Sequence, residues 1–224
     1  IQIHLQETAI EIQNSIKQYG VTPTQRLHQL DVLSARTQAV HLTHFNESDL
    51  ALLKETSTSV IHCPSSNLKL ASGYCDISSL LDHKITVGLG SDSAASNNTL
   101  SSFDSIRQAL LLTKHHTQNT SQISALDALT LATLGSARAL GIDTLTGSIK
   151  PGKQADIIAV DCSQPSMQPV HNPVSQLAYT NCAATVNHLW VAGQQLVKNR
   201  QLLTLDQQQI VHQTQLWQKK IQAH

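Results

Sequence analysis

The stretch Ile85-Thr-Val-Gly-Leu-Gly-Ser-Asp92-Ser-Ala-Ala-Ser96-Asn-Asn98 decides the fold of this chain. Its first part, residues 85–89, is a short apolar run that predicts a buried strand. Asp92 follows this run among small residues, which is typical of a strand end that opens onto a site. The small neighbours let a substrate or another backbone approach closely. A carboxylate that merely caps a helix or closes a turn is the alternative interpretation of Asp92.

The first 140 residues alternate short apolar runs with longer helical patterns. Residues 1–5, 39–43 and 59–62 are also predicted as strands, and a regular helical spacing covers 8–19 and 100–115. Such alternation predicts parallel βα units. An eight-stranded barrel needs ~250 residues, so the four visible units predict half a barrel or a small open sheet. Further helices are predicted at 46–55, 76–83, 124–134 and 136–140, and residues 63–74 are predicted as a loop.

The sequence pattern changes after residue 140. Residues 155–160 form a strong strand pattern, and residues 186–197 predict a hairpin that turns at Ala192-Gly193. A polar, Gln-rich helix is predicted at 205–221. These patterns divide the chain into an α/β part at 1–140, a β-rich part at 141–200 and a C-terminal helical part at 201–224.

Composition excludes several functional classes. The formal net charge is zero, with 15 basic and 15 acidic residues, so no field for nucleic acid is expected. The apolar runs are shorter than the ~20 residues that cross a bilayer, so no membrane association is expected. The four cysteines form no C-x-x-C pair, and we expect a reducing cytoplasm. A start at Ile1 without Met predicts a cropped chain.

His4 and Glu7 form an H-x-x-E pattern just after the first predicted strand. At the C-terminal end of a parallel strand, His4 can act as a neutral imidazole ligand of a metal. A metal lowers the pKa of a bound water towards ~7, and Glu7 can then carry its proton. The pattern alone is weak in a chain with 12 histidines. A capping glutamate beside a strand-end histidine is the structural alternative.

Two further histidines follow predicted strands. His41 can either bind a metal or hydrogen-bond the attacking water, whereas His44 is better interpreted as a loop residue before a helix cap. His4, His41 and Asp92 all fall at C-terminal strand ends, the face where α/β barrels place their sites. His62 begins the segment His62-Cys-Pro-Ser-Ser-Asn67 on the same face, which either contributes to a substrate pocket or is a plain structural loop.

With these residues identified, the chain resembles the C-terminal half of an enzyme of the amidohydrolase superfamily. It most resembles the 5-methylthioadenosine/S-adenosylhomocysteine deaminases, which are grouped with triazine hydrolases. The resemblance spans roughly residues 1–200. The segments that carry it are Ile3-His-Leu-Gln-Glu-Thr8, Ala39-Val-His-Leu-Thr-His44, His62-Cys-Pro-Ser-Ser-Asn-Leu-Lys-Leu-Ala-Ser-Gly73, Gly88-Leu-Gly-Ser-Asp-Ser-Ala-Ala-Ser-Asn-Asn98, Gly147-Ser-Ile-Lys-Pro-Gly-Lys-Gln-Ala-Asp-Ile-Ile158 and Asn172-Pro-Val-Ser-Gln-Leu177.

The resemblance implies strands five to eight of a (β/α)8 metal-dependent hydrolase barrel, plus strands of a small β-sandwich. It implies one zinc ion, or another divalent metal, with His4 and Asp92 as metal ligands. Glu7, His41 and Asp92 would be the catalytic residues: Glu7 as proton shuttle, His41 to orient the water and Asp92 as general base. Glu7, Asp92 and His62 would contact the substrate. Water would attack C6 of a purine nucleoside and release ammonia.

The chain departs from the family pattern in one important respect. The family's first two metal ligands form a His-x-His pair, which this sequence lacks, and His115-His116 are adjacent residues that cannot replace it. Ser93 and Ser91 also stand where the family has Gly and often Thr. A zinc site needs at least three protein ligands. We therefore expect the chain to act with a missing N-terminal half of the barrel or as a homo-oligomer.

Two alternatives to an adenosine-type deaminase remain open at this stage. One keeps the fold and the metal but changes the leaving group, as in guanine-type deaminases and triazine chlorohydrolases. The other is a catalytically incomplete fragment or metal-free remnant, which works only by assembly.

Overall fold

A parallel sheet forms the centre of the first part of the molecule. The structure, a computed structural model, describes residues 1–180 and 182–222. The strands, in sheet order β1-β2-β3-β4, are β1 (Gln2–Leu5), β2 (Gln38–His41), β3 (Ser59–His62) and β4 (Val87–Leu89). All three pairings are parallel. Because the strands share one direction, their carboxyl ends lie along one edge of the sheet.

Helices connect these strands and cover one face of the sheet. They are α1 (Ala9–Tyr19), α2 (Pro23–Gln29), α3 (Glu47–Glu55), α4 (Pro64–Lys69), α5 (Ile77–Asp82), α6 (Ala94–Asn97) and α7 (Ser102–Thr117). A last helical stretch contains α8 (Ala125–Thr130), a π-helical turn at Leu131–Gly135 and α9 (Ser136–Ala139). The strand–helix alternation predicted from the sequence is therefore present.

The main core lies between the sheet and the helices. Ala39, Val60 and Val87 each come from a different strand and point to the same face of the sheet. They pack there with buried helix residues such as Leu50 and Leu110. Strand residues on one face of the sheet and the apolar faces of the helices together form this core. Asn46 caps α3, since its side chain accepts a hydrogen bond from the Asp49 N–H.

The opposite face of the sheet contacts the last helical stretch. Val40, Ile61 and Cys63 form a second small buried cluster with Ala139. The Gln38 amide donates a 2.9 Å hydrogen bond to the Ala139 carbonyl, which ties α9 to β2. The turn before α9 packs so closely on β4 that a Cβ at Gly135 would lie 2.6 Å from the Val87 carbonyl oxygen.

This close packing predicts that Gly135→Ala destabilises the protein by about 1–3 kcal/mol, the usual range for overpacking. Gly135 has an ordinary helical φ of −62°, so its backbone tolerates alanine and only the crowding acts. Gly141→Ala is the comparison: it has φ +70° with nothing within 4 Å, so it isolates the backbone penalty. Urea unfolding measures both. A Gly135→Ala protein as stable as the wild type would contradict the packing of this turn on β4.

The second sheet is antiparallel and lies in the C-terminal part. Its order is β5-β6-β7-β8, with β5 (Ile157–Val160), β6 (Val186–Val191), β7 (Gln194–Lys198) and β8 (Gln201–Leu202). Ala192 and Gly193, with φ of 49° and 81°, form the two-residue turn of the predicted hairpin. The α-helices of this part are α10 (Pro173–Tyr179) and the exposed α11 (Gln207–Gln222), and short 3-10 helices lie at Pro165–Met167 and Cys182–Thr185.

Some predicted boundaries were wrong. Residues 63–74 are not a plain loop, because Pro64 at the first helical position starts α4 directly after β3. The strand predicted at 39–43 ends at His41, where the backbone turns to a positive φ. Residues 223 and 224 of the predicted C-terminal part, and Asn181, lie outside the described residues. Among residues 1–180 and 182–222, every helix is too short or too polar to cross a membrane.

Candidate active site

The predicted site residues come together at the carboxyl ends of the parallel strands. His4 lies on β1, His41 ends β2, and Asp92 follows β4 by three residues. The rings of His4 and His41 are 4.8 Å apart between centroids. His4 Nε2 lies 3.8 Å from Asp92 Oδ1, and His41 Nε2 lies 3.8 Å from Glu7 Oε2. Four residues from three strand ends therefore form one cluster.

His41 is held in place by its backbone and by one side chain. His41 and Leu42 have φ of 74° and 43°, left-handed values that residues with a side chain adopt rarely. Such backbone is maintained only where the surroundings fix it. The His41 ring is fully buried, and its Nδ1 lies 2.8 Å from Asn67 Oδ1. Its Nε2 is left without a hydrogen-bond partner among the described residues and faces Glu7.

Glu7 is positioned by the loop that follows β1. Gln6 is fully buried there and donates hydrogen bonds to the His44 carbonyl and to Asp49 Oδ2. The Glu7 backbone N–H donates to the Glu11 carboxylate at the start of α1. Ser72 Oγ donates to Glu7 Oε1 at 3.0 Å. One carboxylate oxygen of Glu7 is thus held, and the other, Oε2, faces His41.

Asp92 shows the same division between its two oxygens. Ser66 donates to Oδ2 at 2.8 Å and Ser96 donates to the same oxygen, whereas Oδ1 faces His4. Partial burial acts to raise the pKa of Asp92. The hydrogen bonds from Ser96, Ser66 and the Ser93 backbone, together with the nearby His41, outweigh burial and lower this pKa from its ordinary value. Asp92 is therefore an ionised acceptor near neutral pH.

The donor atoms of the cluster suit a divalent metal such as zinc. One ligand atom each from His4, Glu7 and His41 lies within 4.8 Å of the other two. Asp92 lies beside this group, with its Oδ1 3.8 Å from His4 Nε2. Ligands about 2.1 Å from a tetrahedral metal are about 3.4 Å apart, so only small movements would be needed. Imidazole nitrogen and carboxylate oxygen are donors that zinc accepts.

A cleft of about 460 Å³ opens beside the cluster. Its lining residues are Gln2, His4, Val40, Ile61, Cys63, Gly90, Ser91 and Asp92. The His4 side chain is 63% exposed, so solvent reaches the cluster from this side. Burial, with the nearby Asp92 charge, raises the pKa of the Cys63 thiol to about 12. Cys63 therefore lines the cleft as a neutral group and not as a thiolate nucleophile.

Two other histidines considered in the sequence analysis, His62 and His44, lie outside this cluster. His62 is 1% exposed, outside the cleft lining, and neither ring nitrogen has a hydrogen-bond partner in the described part of the chain. Its proposed contact with substrate stays a prediction. His44 bonds the Thr43 hydroxyl through Nδ1 at 2.6 Å, as expected of a loop residue.

Comparison with known proteins identifies the family of this chain. The sequence profile of the amidohydrolase family matches residues 1–196. This chain belongs to the amidohydrolase family. A 5-methylthioadenosine/S-adenosylhomocysteine deaminase from Teredinibacter turnerae is 45% identical over 223 residues, which cover 100% of this chain and 50% of that protein.

Solved structures of amidohydrolases have the same fold. An adenosine deaminase from Xanthomonas campestris with bound zinc superposes with a TM-score of 0.97 at 39% identity, covering 100% of this chain and 51% of that one. An atrazine chlorohydrolase from Arthrobacter aurescens complexed with zinc gives a TM-score of 0.90 at 27% identity, covering 96% and 48%. The chain thus spans about half the length of the relatives it matches.

Sequence reasoning noted the segment 62–67 as a candidate pocket lining, but it missed which polar residues hold the site residues of this amidohydrolase in place. Ser66, Asn67, Ser72 and Ser96 each hydrogen-bond a predicted site residue, and Gln6 fixes the loop between His4 and Glu7. The available signal was their type: small polar residues that follow buried strands on the site face.

Proposed function

We propose that this chain is the C-terminal half of a zinc-dependent hydrolytic deaminase of adenosine-type nucleosides, with 5'-methylthioadenosine or S-adenosylhomocysteine as substrate. The observation that carries the proposal is the convergence of His4, Glu7, His41 and Asp92 at one edge of the parallel sheet. Relatives named as deaminases of these compounds support the choice of substrate.

In this proposal the four strands correspond to strands five to eight of a (β/α)8 barrel, formed by residues 1–140. Residues 141–200 belong to a β-sandwich, which β8 (Gln201–Leu202) extends, and α11 (Gln207–Gln222) follows as a C-terminal helix. The sheet order supports it, since β1 and β4 are edge strands within the described residues. Unpaired strand edges favour pairing with further strands, supplied by another segment of the protein or by a second copy.

His4 and Asp92 would hold the zinc ion, with the remaining ligands from outside this chain. When bound, zinc supplies a Lewis acid that makes water nucleophilic near neutral pH. The position of Asp92 Oδ1, 3.8 Å from His4 Nε2, supports their pairing as ligands. His41 stays outside this pair because its Nδ1 bonds Asn67 and its Nε2 faces Glu7.

The chemistry assigned to the side chains follows from their free atoms. The water oxygen bonds to purine C6, while the carboxylates of Asp92 and Glu7 each accept one of its protons. Glu7 passes one proton to the ring nitrogen beside C6, and the second water proton goes to the exocyclic amine. The bond from C6 to that amine breaks, ammonia leaves and a 6-oxo purine remains. His41 Nε2 accepts a hydrogen bond that orients the water.

A substrate panel tests this proposal with the full-length protein that contains this chain. Ammonia release should be fastest with 5'-methylthioadenosine or S-adenosylhomocysteine, slower with guanine, and atrazine should release no chloride. Elemental analysis should find one zinc per site, and His4→Ala should lower the zinc content. Normal zinc content in His4→Ala would contradict the assignment of His4 as a zinc ligand. Faster turnover of guanine than of the nucleosides would contradict a purine nucleoside as the substrate.

A triazine chlorohydrolase is the second candidate, because an atrazine chlorohydrolase complexed with zinc has the same fold at 27% identity. The chemistry of the leaving group decides between them. Preferred chloride release from atrazine in the same panel would favour this second function. Turnover of neither class, with no zinc bound, would favour a catalytically incomplete chain.

A further inference from the structure

The short helix α4 contacts two site residues that come from different strands. Ser66 and Asn67 are consecutive residues in α4, and they are 0% and 2% exposed. Ser66 Oγ lies 2.8 Å from Asp92 Oδ2, and Asn67 Oδ1 lies 2.8 Å from His41 Nδ1. Asp92 follows β4 and His41 ends β2, so α4 reaches the residues on both sides of β3.

The Asn67 contact decides which nitrogen of His41 carries the proton. An amide oxygen only accepts hydrogen bonds, so His41 Nδ1 must be the protonated nitrogen. Nε2 then keeps its lone pair and faces Glu7 Oε2 at 3.8 Å. With the other tautomer, Nε2 would be a donor and would not accept a hydrogen bond from a water molecule. The Asn67 amide thus determines how the ring can act.

The burial of Asn67 indicates more than a packing role. Its Nδ2 is buried without a hydrogen-bond partner among the described residues. An unpaired buried amide group costs about 1–3 kcal/mol, which an apolar side chain at the same place would avoid. The amide is therefore better explained by the contact of its oxygen with His41 than by the stability of α4.

Ser66 does for Asp92 what Asn67 does for His41. A carboxylate has two equivalent oxygens, and rotation of the side chain exchanges them. Ser66 and Ser96 both donate to Oδ2, which leaves Oδ1 towards His4. Because Ser66 and Asn67 share one turn of helix, the orientation of the carboxylate and that of the imidazole are fixed together.

We propose that Ser66 and Asn67 of α4 are positioning residues for hydrolysis at this site. Ser66 holds Asp92 so that its Oδ1 is directed at the reacting water. Asn67 holds His41 so that its unprotonated Nε2 is directed at the same water. This role rests on the proposed deaminase function. Groups of this kind, which hold catalytic side chains by hydrogen bonds, change activity about 10–100-fold when they are removed. The effect should fall on kcat, since neither residue lines the cleft beside the cluster.

Kinetics of three variants of the full-length protein test the proposal. Asn67→Leu removes the acceptor with the same number of side-chain heavy atoms and should lower kcat about 10–100-fold with KM changed little. Asn67→Asp keeps an oxygen at His41 Nδ1 and should restore much of this loss. Ser66→Ala should lower kcat about 10-fold. Ser65→Ala is the matched control, because Ser65 donates from the same helix to Gln108, and it should leave kcat unchanged.

The tautomer of His41 gives a readout that does not depend on catalysis. In protein labelled with ¹⁵N-histidine and stripped of metal, the His41 signal, assigned by its loss in His41→Gln, should show a protonated Nδ1. Asn67→Leu should shift that signal towards the other tautomer, while Ser65→Ala should not. A proton on Nε2 in the wild type, or unchanged kcat in Asn67→Leu, would overturn the proposal. Absence of deamination with the expected tautomer would instead overturn the proposed function.

Discussion

Replacing Glu7 by Gln lowers kcat for deamination about 10²–10⁴-fold, the range that general acid–base catalysis contributes. The amide keeps the size of the side chain and still accepts the hydrogen bond that Ser72 gives to Oε1. It cannot take a proton at the atom that stands in place of Oε2. Because the structure leaves Oε2 free beside His41, the expected loss is one of proton transfer, and KM should change much less than kcat.

The control for this variant is Glu55→Gln, which removes an exposed carboxylate at the end of α3, away from the strand ends. It should leave kcat and KM at their wild-type values. Steady-state ammonia release by the full-length protein measures both variants, and zinc analysis checks that Glu7→Gln still binds metal. If Glu7→Gln deaminates within threefold of the wild-type rate, Glu7 does not carry the proton.

The positions of the site residues were predictable because they follow from a periodic pattern. Short apolar runs placed the strands, and parallel strands place their carboxyl ends on one edge. His4, His41 and Asp92 each lie at the end of such a run. Their proximity could therefore be predicted from the strand positions alone, without side-chain contacts. The H-x-x-E spacing then placed Glu7 beside them, where the loop after β1 turns at Gln6 with φ 51°.

The contacts that orient these residues could not be predicted in the same way. Asn67 and His41 are 26 residues apart, and Ser66 and Asp92 are also 26 residues apart, with elements packed between them. No local pattern encodes such hydrogen bonds, since they depend on how α4 sits on the sheet. The segment 63–74, rich in Pro, Ser, Asn and Gly, has the composition of a loop, and this hid the short helix.

His62 shows a further limit of sequence reasoning, and it leads to the second large effect. It follows a strand on the site face, yet its side chain is fully buried with both nitrogens unpaired in the described part of the chain. Burial, with a smaller contribution from the nearby His41, lowers the pKa of His62 from 6.5 to about 3. The folded protein therefore keeps this ring neutral well below the pH at which it is protonated in the unfolded chain.

The sign of the pH effect follows directly. Between pH 6.5 and about 3 the unfolded chain binds a proton at His62 and the folded protein does not, so the free energy of unfolding falls as the pH falls. At pH 5 this single group lowers stability by about 2 kcal/mol relative to pH 7.5. His62→Leu removes the titration, so the variant should lose about 2 kcal/mol less than the wild type between these pH values.

Guanidinium unfolding at pH 7.5 and pH 5.0 measures this difference, with His115→Leu as the control. His115 is exposed near the end of α7, so its removal should leave the pH dependence of the wild type intact. Carboxylates that titrate in the same range are common to all three proteins and cancel in the comparison. At pH 7.5 His62→Leu should match or exceed wild-type stability, because two unpaired polar atoms leave the core. If the free energy of unfolding falls equally in the wild type and in His62→Leu between pH 7.5 and pH 5.0, the His62 ring is not held neutral by burial. If His62→Leu is much less stable than the wild type at pH 7.5, the ring nitrogens of His62 have hydrogen-bond partners.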